Sequence, residues 1–245
     1  MAGKSYGVGS LPIRKVVRAP DAPEPDGGWP ASVAAVGQVL RDGLPLSPAT
    51  VLVGENGSGK STLIEGIALA YGLSREGGST GARHSTRESE SGLHRQLQLV
   101  RGALASKWGF FLRAETMHGF FTYLEENPGR RGDSPFHEMS HGESFLEVLQ
   151  TRFTSPGLYV LDEPESALSF GGCLALIGVL HQLVASGTAQ VLMATHSPVL
   201  AALPGARILQ LDGHGLHETR WEELEIVEHH RAFLADPQRY LRHVT

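Results

Sequence analysis

The chain has a single cysteine, Cys173, among 245 residues, so no disulfide can form within it. A fold held by its own hydrophobic core in a reducing compartment is the corresponding expectation. Long apolar runs are missing as well. A membrane-spanning helix needs about 20 apolar residues, and the longest candidate, residues 173–184, is interrupted by His181 and Gln182. No cationic start leads into an apolar signal core. The expectation is a cytoplasmic protein with no membrane segment of its own. Positive charge is scarce: 21 Lys and Arg against 26 Asp and Glu leave a net charge of −5. That balance does not resemble a generally basic nucleic-acid binder. There is no internal repeat. What is present is an ordinary globular composition, 41% hydrophobic and 19% charged, with 30 glycines that call for tight turns or close backbone approaches. The length suits one α/β domain, with or without a small subdomain.

Apolar runs and breakers place the elements. Residues 13–19 suit an edge strand, and residues 20–30 a turn-rich linker. Residues 31–41 suit a short helix. Residues 50–53 form a β-branched apolar run before a glycine loop, the pattern of a buried parallel strand. A helix over 60–72 should end near Gly72. Residues 74–92 and 127–138 read as loops. Helices are expected near 93–105, 142–153 and 171–186, and strands near 108–114, 158–161, 190–194 and 206–211. Asp212-Gly213-His214-Gly215 suits a hairpin turn. Thr219 with Glu222 has the spacing of a capping box, and Pro237 suits the start of a last short helix. Strands alternating with helices argue for a mainly parallel sheet covered on both faces.

Gly54-Glu55-Asn56-Gly57-Ser58-Gly59-Lys60-Ser61 fits G-x-x-x-x-G-K-S/T without a mismatch, with Thr62 next in the expected helix. Glycines let backbone N–H groups turn inward around a phosphate. The helix that follows points its positive end at the same anion. Lys60 supplies a point charge for the β- and γ-phosphates of ATP, and the Ser61 hydroxyl suits the shell of Mg²⁺. Downstream, the apolar residues 158–161 run into Asp162-Glu163-Pro164. Two carboxylates then stand at the C-terminal edge of a buried strand, where open α/β sheets bind ligands. Asp162 is the candidate for holding Mg²⁺, and Glu163 for polarising an attacking water as general base.

Three further segments carry a resemblance. Ser140-His141-Gly142-Glu143-Ser144 resembles the signature motif of ABC ATPases, with His141 and Glu143 in place of the commoner Gly and Gln. Ser166-Ala167-Leu168-Ser169 resembles that family's D-loop, with Ser169 where Asp is usual. Ala194-Thr195-His196-Ser197-Pro198 resembles its switch-histidine segment. Phosphate loop, signature, acidic strand, D-loop and switch histidine occur in the family's order, over about residues 48–212. Alone, each has a plain structural reading; Ser140-His141-Gly142-Glu143-Ser144, for example, could simply cap a helix.

The resemblance implies an α/β P-loop NTPase fold of ABC type. Its sheet is mainly parallel, with helices on both faces, antiparallel edge strands and a very small helical subdomain. It implies one domain over 1–245. Within it come an N-terminal part (1–47), a phosphate-loop half (48–114) and a small helical and signature segment (115–156). An acidic-strand and switch-histidine half (157–212) and C-terminal helices (213–245) complete it. It implies Mg²⁺-dependent ATP hydrolysis with the nucleotide sandwiched in an ATP-dependent homodimer. There Ser140, Gly142 and Glu143 face the γ-phosphate held by the other chain, while His196 contacts it within its own. Glu115 falls at the family's glutamine-loop position and is a candidate for reaching Mg²⁺ or water; the alternative is an ordinary acid in a first helical turn.

Only 25 residues separate Glu115 from Ser140. That is too few for a transporter's larger helical subdomain or for the long coiled coil of chromosome-maintenance ATPases. The chain is similar to compact stand-alone bacterial proteins of the AAA family ATPase kind, which are related to the chromosome-maintenance group. The expected task is to drive or gate an unknown partner protein. A nucleic-acid-associated maintenance or defence ATPase is one alternative, and the nucleotide-binding subunit of a membrane transporter another. Between Arg75 and Arg113 seven basic residues oppose three acidic ones, and between Asp212 and Glu228 six acids oppose one Arg. The basic stretch either contacts nucleic acid or a partner's acidic segment, or is an ordinary solvated loop.

Overall fold

The computed structural model describes residues 11–25, 27–75, 77–80, 91–103, 105–113 and 155–242. In chain order these form strand β1 (Lys15–Arg18), helix α1 (Ala34–Asp42), strands β2 (Leu44–Pro45) and β3 (Ala49–Gly54), and helix α2 (Lys60–Tyr71). Strands β4 (Gly78–Ser79), β5 (Leu97–Val100), β6 (Gly109–Arg113) and β7 (Gly157–Asp162) follow. Then come helix α3 (Phe170–Ala185), strand β8 (Ala189–Thr195), helix α4 (Pro198–Ala201), strands β9 (Arg207–Asp212) and β10 (Gly215–Thr219), and helices α5 (Glu225–Ala235) and α6 (Gln238–Leu241). The fold is α/β, as a P-loop NTPase requires.

The main sheet has seven strands in the order β10-β9-β3-β8-β7-β6-β4. The five inner strands are parallel, and β10 and β4 lie antiparallel at the two edges. Every residue of β7 and β8 is buried, which is why these strands are nearly continuous apolar runs. Alternation sorts the side chains between two cores. Val51, Val53, Tyr159 and Leu161 join Leu176 and Leu180 of α3 on one face. Leu52, Leu158 and Val160 join Leu63, Ile64 and Ile67 of α2 on the other.

A second, three-stranded antiparallel sheet, in the order β2-β1-β5, packs over the α2 side. A buried amide ties it to the main sheet. Gln190 of β8 accepts from Ile13 N–H at 2.8 Å and donates to the carbonyls of Ile13 at 2.8 Å and Ser47 at 3.0 Å. Gln38 of α1 does the corresponding job at an edge. It donates to Leu216 O and accepts from Leu216 N–H, which closes the outer rim of β10.

Several sequence expectations need correction. Residues 93–105 do not form a helix. Leu93–Arg95 make one 3₁₀ turn, after which β5 pairs with β1 along four residues. No capping box forms between Thr219 and Glu222; one residue later the Glu223 carboxylate accepts from the Arg220 backbone N–H at 3.4 Å and from its guanidinium Nε at 3.0 Å, at the start of the 3₁₀ turn Trp221–Glu223. Pro237 does precede the last helix, at its N-cap position. The hairpin turn at Asp212–Gly215 joins β9 to β10; there the Asp212 carboxylate accepts from the N–H groups of His214 and Gly215. The expected loop at 127–138 and helix at 142–153 lie outside the described residues.

Candidate active site at the carboxyl edge of the sheet

Strand β3 delivers the chain to the glycine loop at Gly54, which pairs with Leu211 of β9. A Cβ on Gly54 would collide with the Leu211 carbonyl oxygen, so the loop leaves the sheet where only glycine fits. At its far end Gly59 adopts φ 98° as N-cap of α2, and a Cβ there would stand 2.7 Å from Val33 Cγ1. Lys60 opens α2 and is only 3% exposed. Its Nζ donates to the carbonyls of Gly54 at 2.8 Å and Glu55 at 2.9 Å. Burial lowers the Lys60 pKa, and the carboxylates of Glu163, Asp162 and Glu165 oppose that shift.

Strand β7 ends at Asp162, whose side chain is 4% exposed. The next residue, Glu163, is the one non-glycine with positive φ among the described residues (φ 48°, ψ 51°). That turn holds its backbone N–H on Ala194 O at 3.0 Å and sets its carboxylate 3.0 Å from His196 Nε2. His196 follows β8, and its backbone N–H donates to the Glu165 carboxylate. Ser169, at the D-loop position where Asp is usual, accepts from Gly172 N–H at 3.2 Å and so caps α3.

Part of this set lines a cavity of about 350 Å³, whose lining includes Gly57, Lys60, Ser61, Asp162, Glu163 and Trp29. Thr62 and Asn56 also line it. A second cavity of about 690 Å³ shares Asn56 and Gly57 with the first; Glu55, Ser58, His196, Asp212 and His229 also line it. The structure therefore brings together residues 54–62, Asp162, Glu163 and His196. Glu115, Ser140, Gly142 and Glu143 lie outside the described residues.

The match of one family model, described as AAA domain, covers residues 45–101. The chain is 29% identical over 208 residues to the cytochrome c biogenesis ATP-binding export protein CcmA of Paramagnetospirillum magneticum, across 74% of this chain and 91% of that protein. It is 27% identical over 203 residues to the xylose import ATP-binding protein XylG of Pseudomonas syringae pv. tomato. That match takes in 71% of this chain and 38% of that protein, so the chain spans well under half of this relative's length. These matches support an ABC-type P-loop ATPase. Among solved structures, that of cbiO1 from Clostridium perfringens, part of the ABC transporter complex cbiONQ, aligns over 93% of this chain and 97% of that one. Its identity is 14% and its TM-score 0.49.

The oxygen donors lining the smaller cavity suit a hard divalent cation: the Ser61 hydroxyl and the carboxylates of Asp162 and Glu163. Among the described residues no cluster of three His, Cys, Asp or Glu side chains could hold a metal unaided. Phosphate oxygens and water would complete the shell, the usual situation for Mg²⁺. Three residues of the site escape a reading by motif. Trp29, 56% exposed, stands at the cavity's rim. Glu165 anchors the backbone of His196. Arg113 ends β6 with its Nε 3.4 Å from Asp162 Oδ2. Trp29 lies in a proline-rich linker and Arg113 at the end of an apolar strand, so neither carries a local signal; Glu165 sits beside a motif but outside its functional positions.

Proposed function

We propose that this chain binds ATP with Mg²⁺ in the smaller cavity and hydrolyses it to ADP and phosphate. The observation that carries this reading is the convergence of Lys60, Asp162 and Glu163 on one cavity beside the glycine loop. The N–H groups of residues 54–61 and the positive end of α2 take the phosphates. Lys60 exchanges its two loop carbonyls for phosphate oxygens, which relieves a buried ammonium of partners that are weaker acceptors than an anion. Ser61 and Asp162 hold the metal, and Glu115 is a further candidate for its shell. Bound there, Mg²⁺ neutralises charge developing on the phosphoryl oxygens.

Glu163 accepts a proton from the attacking water as that water's oxygen bonds to the γ-phosphorus and the bond to the β-phosphate oxygen breaks. His196 holds the Glu163 carboxylate in place before the nucleotide arrives and faces the γ-phosphate afterwards. The exposed indole of Trp29 offers the base a stacking surface. Ser140, Gly142 and Glu143 act on the nucleotide of a second copy, so that ATP closes a homodimer. The dimer gates a partner protein in the cytoplasm; a nucleic-acid partner is an alternative that the net charge of −5 does not favour. A second reading has an observation behind it. Two relatives are named as import and export ATP-binding proteins, which supports a nucleotide-binding subunit working with a separate membrane protein. No helix among the described residues is long and apolar enough to cross a membrane.

Glu163→Gln tests the chemistry. The amide keeps the shape and still hydrogen-bonds water but accepts no proton. Turnover should fall by roughly 10²–10⁴-fold, with ATP affinity nearly unchanged by calorimetry. Light scattering on the same variant with ATP and Mg²⁺ should show a dimer that separates when nucleotide is removed. Wild-type turnover would remove Glu163 from the role of base. A variant that is inactive yet monomeric at saturating ATP would sink the sandwich dimer.

A further inference from the structure

Arg113 occupies a position that the phosphate loop and the acidic strand do not account for. It ends β6, directly opposite Asp162 in the parallel ladder, so the register itself brings the two residues to the same level. Its side chain is 14% exposed and lines the phosphate cavity with Lys60 and Ser61. The guanidinium reaches two carboxylates at once. Nη1 donates to Glu65 Oε2 at 2.9 Å, and Nε lies 3.4 Å from Asp162 Oδ2. Glu65, in the middle of α2, is also 3.4 Å from Arg75 Nε. Charges thus alternate from Arg75 through Glu65 and Arg113 to Asp162, all of them largely removed from water.

The chain sets a positive charge of its own beside Asp162, because a buried carboxylate without a cation is unfavourable. The metal would be attracted to that same carboxylate. An arriving nucleotide brings negative charge to within reach of the guanidinium, whose fork suits phosphate oxygens as well as carboxylates. We infer that Arg113 sets the metal dependence of nucleotide binding. It is a built-in cation that holds Asp162 before nucleotide binds and neutralises phosphate charge when no metal is present. This rests on the ATP-binding reading above. It makes Arg113 a positioning residue, acting through Asp162 and the phosphates without taking part in bond making.

The consequence is a change in a ratio. Removing the guanidinium takes a favourable charge from metal-free ATP. With Mg²⁺ present it also removes repulsion against the metal and frees Asp162 to bind it, so the two effects offset. Calorimetry on the full chain should compare ATP affinity in Mg²⁺ with that in EDTA. For Arg113→Gln the ratio of the two dissociation constants should rise roughly tenfold or more over wild type, chiefly through weaker metal-free binding. Arg113→Lys, which keeps the charge, should stay within about threefold of wild type. Glu65→Gln disturbs the far arm of the bridge but leaves the cavity's charge intact, so its ratio should also stay near wild type. Should Arg113→Gln fail to fold because Glu65 loses a partner, the double variant Arg113→Gln with Glu65→Gln removes the pair together, and its ratio should rise as stated.

Two results would overturn the inference: an unchanged ratio when the guanidinium is removed, or an equal rise in Glu65→Gln. The second would mean that the bridge merely props the fold. Wild-type protein that binds ATP in neither condition would instead remove the ATP-binding reading itself.

Discussion

Two turns leave the same edge of the sheet, one after β3 and one after β7, and under the proposed function they meet opposite requirements. The turn after β3 is asked for backbone N–H groups in a tight space. It is built from glycine, at Gly54 where the Leu211 carbonyl leaves no room and at Gly59 where φ is 98°. The turn after β7 is asked for a side chain. There a glutamate adopts φ 48°, a left-handed conformation that costs a non-glycine residue about 1 kcal/mol or more. Where the backbone is the working part, the chain uses the residue with no side chain. Where a carboxylate is the working part, the same kind of backbone is kept and the strain is carried. The Ala194 carbonyl, the Ser166 N–H and hydroxyl, and the His196 ring all bond to Glu163 and hold it there.

The first way to sharpen this contrast is Lys60→Ala. It leaves the glycine loop whole but takes away the ammonium that bonds the Gly54 and Glu55 carbonyls. If charge-assisted contacts to phosphate matter as argued, ATP affinity should fall roughly 10–100-fold by calorimetric titration with Mg²⁺. Unchanged affinity would mean that backbone groups alone suffice and would break the assignment of Lys60.

Gly54→Ala tests the sterics of the β3 turn. The added methyl meets a backbone carbonyl on a neighbouring strand, which cannot swing aside as a side chain would. Unfolding in urea should show a loss of about 1–3 kcal/mol. A loss under a few tenths would show that the sheet spreads there at little cost.

Glu163→Gly should give the smallest effect and the most telling sign. Most substitutions destabilise by about 1 kcal/mol. Here, relief of the left-handed strain should offset the lost contact with His196, leaving stability unchanged or up by about 0.5 kcal/mol while turnover disappears. A clear loss in urea unfolding would mean that the glutamate is there for the fold and that the strain reading is wrong.

The two turns were also unequally legible. The glycine loop is a contiguous pattern whose every position has a local reason, so residues 54–61 could be read directly. Asp162 and Glu163 were readable because an apolar run ends on them. The strain at Glu163 was not readable, since nothing in Asp-Glu-Pro states a dihedral angle. Arg113 was missed because its partners Glu65 and Asp162 are distant in sequence, and only the register of β6 against β7 brings it to Asp162. The misread helix near residue 93 has a definite cause. Leu93, Leu97 and Val100 fall at i, i+4 and i+7, a helical spacing, yet the burial of residues 97–99 follows a strand pattern. Pairing with β1, which precedes β5 by the whole of α1, β3 and α2, decided between them. The expected capping box is similar: Thr219 with Glu222 and Arg220 with Glu223 share one spacing, and the turn opens after Arg220, whose N–H the Glu223 carboxylate accepts.

The buried amide of Gln190 has a consequence for how the molecule comes apart. Three of its four hydrogen-bonding valences are spent on two segments of main chain beside the smaller sheet. Peeling that sheet away would leave a side-chain amide facing the apolar interior with nothing to bond, a penalty of about 1–3 kcal/mol before any apolar contact is counted. The ladder β2-β1-β5 is therefore not a peripheral flap free to breathe. It is welded to β8, the strand that leads into His196. Separating the two sheets means breaking this joint, and His196 lies just beyond the strand that the joint holds.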